Sequence, residues 1–152
     1  MAKSATVNHS LKIHSWRLNY SFGMGKSRFC DELYSDLRHL VIQAGIEKPK
    51  SIKASVGEIR CIPYEALTAG YKEYASASQD PRPVGEVNYR GARYSAVLFM
   101  PADALPLLVP MLTAEKYKHL ELDVEKGGAV VSYRFLDYLG DGALLAGCKS
   151  VA

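Results

Sequence analysis

The stretch "SRFCDELYSDLRHLVIQAG", residues 27–45, decides how the chain is read. Phe29, Leu33, Leu37, Leu40, Val41 and Ala44 recur three and four residues apart, the spacing of one apolar helix face. Ser27 suits the N-cap, where its hydroxyl accepts a free backbone N–H. Asp31 and Glu32 fall near the positive end of the helix dipole, and Arg38 and His39 near the negative end. Gly45 is a natural stop. The spacing predicts a helix over 27–44.

On its N-terminal side, "LKIHSWRLNYSF", residues 11–22, alternates. His14, Trp16, Leu18, Tyr20 and Phe22 share one face, and Ile13, Ser15, Arg17, Asn19 and Ser21 the other. That is the period of a half-buried strand, and Gly23 and Gly25 break it. On the C-terminal side "SIKASVGEIRCIP", 51–63, reads as a strand interrupted at Gly57 by a bulge or tight turn. Tyr64, Leu67, Tyr71 and Tyr74 are spaced as a helical stripe, which Gly70 weakens. "SASQDPRPVGE", 76–86, is dense in turn formers and predicts a surface loop. "YRGARYSAVLFMP", 89–101, predicts one interior strand. A helix is expected from Pro106 to Lys116, because proline is tolerated in a first turn.

"KHLELDVEKGGAVVSYRFL", 118–136, gives the clearest local signal: two alternating runs around Gly127-Gly128. A two-residue turn sets Val124 across from Val131, Leu122 from Tyr133 and Leu120 from Phe135, with all six inward. It also sets Glu121 across from Arg134 on the outer face.

Strand, helix, strand, strand, helix, strand and a final strand follow in order. That is the βαββαβ order of a ferredoxin-like α+β fold with a C-terminal strand added. Two main helices would cover one face of a mostly antiparallel sheet, with a third at 64–75. The expected organisation is a flexible tail over 1–10 and one domain over 11–152.

The totals agree with one globular domain. The chain has 152 residues, 48% hydrophobic and 23% charged. No apolar run reaches the roughly 18 residues of a membrane span. "MAKSATVNHS" lacks the apolar middle of a secretory signal. Cys30, Cys61 and Cys148 stand far apart, which speaks against a zinc cluster or a disulfide framework and fits a reducing, cytoplasmic setting. Net charge is only +3, too little to imply nucleic acid by itself.

Four features bear on function. Gly25-Lys26-Ser27 resembles the end of a phosphate-binding P-loop, but the first glycine of that pattern would fall at residue 20, which is Tyr20. What survives is a weak anion site at Lys26, Ser27 and Arg28. An enzyme with an unrecognised site at Lys26, Ser27 and Cys30 is the alternative this turn leaves open. The row His119, Glu121, Asp123 and Glu125 points one way from a strand. Alternate positions lie about 6.6 Å apart, too far for all four to share one ion, so the row reads as an ordinary outer face. "RGARYSAVLF", 90–99, matches an RNA-recognition pattern only at Arg90, Gly91 and Tyr94, so RNA binding is a distant alternative.

The fourth feature carries most. Tyr64, Tyr71, Tyr74, Tyr89 and Tyr94 are interleaved with Arg82, Arg90 and Arg93. Tyrosine offers an apolar face with a polar tip, and arginine recognises carboxylates and phosphates or stacks on rings. The plainer account is a stripe packing the middle helix onto the sheet. The functional reading is a small binding module using segment 64–94 for a protein partner or a small amphipathic ligand. It needs no cofactor or metal, and a homodimer is compatible with it.

Overall fold

Alternation, not helical spacing, governs the middle of the opening stretch. Leu40, Ile42 and Ala44 are buried in the core and Ile46 packs against it. Every second residue thus faces inward, which is strand geometry. The computed structural model describes residues 5–24, 34–64 and 83–138. It contains β1 (Thr6–Met24), β2 (Tyr34–Lys48), β3 (Val56–Tyr64), β4 (Gly85–Arg90), β5 (Arg93–Pro101), helix α1 (Leu105–Thr113), β6 (His119–Glu125) and β7 (Ala129–Leu136).

The strands close into a barrel in the order β1-β2-β3-β5-β4-β7-β6, with β6 returning to β1. Among the described strands only β3 and β5 pair in parallel. The ferredoxin-like α+β fold with two helices on an open sheet is therefore overturned. Its main helix, 27–44, gives way to β2 from Tyr34 onward. The physical reason is tertiary pairing. Leu40, Ile42 and Ala44 bond to β1 on one side and β3 on the other, and the β-branched pair Val41-Ile42 suits that pleat. Local helix spacing is a weak preference beside two ladders and a core.

Other expectations shift by single residues. β1 already begins at Thr6, inside the stretch expected to be a flexible tail. Ile13 pairs with Ala44 but Ser15 pairs with Gln43, so His14 is bulged out. The bulge inverts the alternation and sends both Ile13 and Trp16 to the core, where the sequence placed them on opposite faces. Residues 89–101 are two strands, not one: β4 and β5 meet at a turn on Gly91, whose φ is +59°. Gly57 makes no bulge and sits in register opposite Ala44. α1 starts as expected, with Pro106 in its first turn and Pro110 inside it, but ends at Thr113, short of the expected Lys116.

The β6–β7 hairpin forms as read, with Leu120 opposite Phe135, Leu122 opposite Tyr133 and Glu121 opposite Arg134. A register shift after Asp123 then pairs Val124 with Val130. Val130 is fully buried while Val131, expected inside, is 41% exposed.

The barrel ends differ. Leu105, Leu108 and Leu112 of α1 join the core beside Met100 and close the end where β5 stops. At the opposite end lie the start of β1, the 49–55 connection and the β4–β5 and β6–β7 turns, as the antiparallel registers require. Ile52 and Ala54 of the connection are buried there. Past Leu40, no described strand pairs with the outer edge of β2, and β1 and β2 continue as a two-stranded ribbon. Leu18, Tyr20, Phe22 and Met24 on that ribbon are 46–84% exposed. Among the described residues no helix is long and apolar enough to cross a membrane.

Candidate ligand cleft at the open end of the barrel

Alternation along β1 carries Val7, His9 and Leu11 onto the face of Val124, Leu122 and Leu120, their register partners. Leu11 lies in the middle of the core, and Val7 reaches the rim. His9, between them, is 3% exposed, a polar ring on an apolar face.

The ring is held from across the barrel. His9 Nδ1 lies 2.9 Å from the Tyr94 hydroxyl. Tyr94, on β5, is 4% exposed. Its ring fits only because residue 57 is glycine: a Cβ there would stand 2.5 Å from Tyr94 Cδ1. Tyr89, the register partner of Tyr94 on β4, stacks on it at 6.3 Å and 15°. His9 meets Tyr89 edge-on at 6.0 Å. Burial lowers the His9 pKa below 6.5, so the imidazole is neutral at pH 7. Burial, with Tyr89 adding to it, raises that of Tyr94 and keeps the phenol protonated.

A neutral imidazole has one donor and one acceptor nitrogen. If the Tyr94 hydroxyl donates to Nδ1, then Nε2–H is a donor. If Nδ1–H donates to the Tyr94 oxygen, Nε2 is an acceptor. Nε2 has no hydrogen-bond partner among the described residues. His9 lines a cleft of about 750 Å³, whose floor includes Val87 and Val124, with Val7 at its rim. Tyr89 and Asn88 form one wall, Pro49 and Ser51 another, and Glu86, Glu125 and Lys126 complete the lining. The glycine turn shapes the mouth. Gly128 has φ +97°, and a Cβ on it would fall 2.3 Å from the Val87 carbonyl oxygen. Its carbonyl accepts the Val87 N–H at 2.7 Å, which fastens the β6–β7 turn to β4.

Among the described members of the tyrosine–arginine segment, Tyr89 and Tyr94 come together at the cleft. Arg90 and Arg93 flank the Gly91 turn nearby, exposed and outside the lining. Tyr64 is at the other end, 53% exposed, its ring 6.3 Å from Phe99. Tyr71, Tyr74 and Arg82 lie outside the described residues, as do Lys26, Ser27, Arg28 and Cys30; of the helix expected at 64–75 only Tyr64 is described, and it ends β3. The sequence does not single out His9 or Glu86 as site residues, and Glu125, expected on an ordinary outer face, lines the cleft. The signal for His9 was present: Val7, His9 and Leu11 extend the alternation of β1 into the supposed tail.

The remaining candidates are structural. Arg134 bridges Glu121 at 2.9 Å and Asp123 at 3.5 Å. Asp123 also accepts from Asn8 and Ser132. His119 lies 3.7 Å from Glu47. Among the described residues no cluster of histidine, cysteine and carboxylates could hold a metal ion. Cys61 is fully buried and its thiol is pushed up to about 12 by burial, which makes it inert. Tyr94 faces the interior, so the β5 position where an RNA-recognition motif stacks a base is taken up by core packing. No protein-family model, curated protein or solved structure matches this chain.

Proposed function

We propose that the protein binds a small amphipathic ligand in the cleft at the open end of the barrel. One observation carries this reading: a nearly fully buried histidine lines the cleft with one ring nitrogen held by Tyr94 and the other without a partner among the described residues. A buried polar group is ordinarily hydrogen-bonded, and one turned to a cavity is suited to fix a ligand's orientation. The size is right, since ligand clefts run from about 300 to 1,000 Å³. The half-exposed Tyr89 ring supplies a face against which a ligand's apolar body packs.

The test uses 2-phenylethanol as a neutral amphipathic probe. The melting temperature of the wild-type chain should rise with probe concentration, as ligation of the folded state requires. Val7→Trp, at a half-exposed position on the lining, should fill the cleft and abolish the rise without unfolding the barrel. If Val7→Trp responds like the wild type, binding is elsewhere and the reading fails.

The exposed apolar row on the β1–β2 ribbon favours a second reading, a protein partner. Tyr20→Ser should then leave probe binding untouched while weakening any association seen by sedimentation.

A further inference from the structure

The charge around the cleft says which ligands it should prefer. Glu86, on β4, and Glu125, at the end of β6, both line it. Neither makes an ion pair among the described residues. Lys126 is the one cationic lining residue among those described, so the charged lining sums to 1 − 2 = −1. His9 does not alter the balance, because burial keeps it neutral. Unpaired carboxylates at a rim are common on solvated surfaces. These two differ in sharing a cleft with a buried imidazole whose second nitrogen has no partner among the described residues and with a tyrosine ring open on one side.

We infer that the cleft selects an organic cation, a protonated amine carried on an apolar body. The inference rests on the reading of the cleft as a ligand site. Each lining group has a part in it. Glu86 and Glu125 attract the ammonium group at the mouth, and the Tyr89 ring stabilises a cation over its face. His9 Nε2 accepts an ammonium N–H in the tautomer whose Nδ1–H donates to the Tyr94 oxygen, with the ring proton on Nδ1 and the Tyr94 hydroxyl turned away from it. The valine floor takes the apolar body. A carboxylate ligand would meet two like charges and one opposite charge. A neutral ligand would gain the floor and His9 but not the rim.

Calorimetric titration with three near-isosteres separates these cases: 2-phenylethylamine (charged at pH 7), 2-phenylethanol and phenylacetate. The amine should bind about five- to tenfold tighter than the alcohol at low salt, with phenylacetate weakest, as expected for one partly exposed charge interaction. Glu86→Gln and Glu125→Gln should each shrink the amine's advantage over the alcohol. Lys126→Met should enlarge it, a gain that a merely structural role for Lys126 would not produce. Equal binding of amine and alcohol would overturn the cation preference and leave the ligand site standing. Tightest binding by phenylacetate would overturn it likewise. Binding of none of the three would remove the site and the inference together.

Discussion

The His9–Tyr94 pair is one hydrogen bond between two buried residues, and removing half of it strands the other half. Tyr94→Phe leaves Nδ1 without its partner in an apolar setting, which should cost about 1–3 kcal/mol in urea-induced unfolding. Gly57→Ala attacks the same pair from behind. The added methyl overlaps the Tyr94 ring, so the ring must move or β3 must bend, at about 1–3 kcal/mol. A crystal structure of that variant should show His9 and Tyr94 drawn apart. The pH dependence follows from the direction of the His9 shift. The unfolded imidazole takes up its proton near pH 6.5 and the folded one only at lower pH. Between those two values the unfolded state binds more protons, so stability falls as pH falls through that window and levels off below it. His9→Gln should flatten that part of the stability–pH curve. An unchanged slope would mean that folding does not lower the His9 pKa.

At the scale of elements, the β6–β7 hairpin was legible because turn chemistry, alternation and a cross-strand ion pair agreed. Leu122→Ala should cost about 2–5 kcal/mol, since Leu122 is fully buried. Glu121→Ala should cost no more than about 1 kcal/mol, because Arg134 keeps Asp123 as a partner. Chemical denaturation of both variants, side by side, checks the contrast. The one-residue shift at Val124 was not legible: a bulge changes the count without changing the pattern on either side. β2 was misread for a related reason. Leu37, Leu40, Val41 and Ala44 satisfy a helix, while Leu40, Ile42, Ala44 and Ile46 satisfy a strand, and only the partners of β2 decide between them. The same dependence on partners divides β1 in two. Amides of the barrel half, near Leu11, should exchange with deuterium far more slowly than those of the ribbon, near Tyr20, although both belong to one ladder.

For the whole molecule, local sequence gave most strands but not their neighbours. Nothing within "LKIHSWRLNYSF" announces that β1 must meet a strand more than a hundred residues away, nor that β3 and β5 lie parallel. Those pairings turn a sheet into a barrel and create the cleft. The cleft needs the start of β1, the end of β4 and the end of β6 together, so its residues fall into no compact motif. The β1–β6 seam also sets an order of events during synthesis. β1 through β5 can pair as they leave the ribosome, but β1 waits with one edge bare until Glu125 emerges to face Thr6. Until then the nascent sheet is open along two sides, Val7, His9 and Leu11 have no cover, and the chain is at its most prone to join another copy. Ribosome-bound chains stalled before β6 should therefore be digested by protease within β1, and chains stalled well past β7 should resist. A strand made more than a hundred residues later protects the first, and until it emerges the growing sheet stays vulnerable.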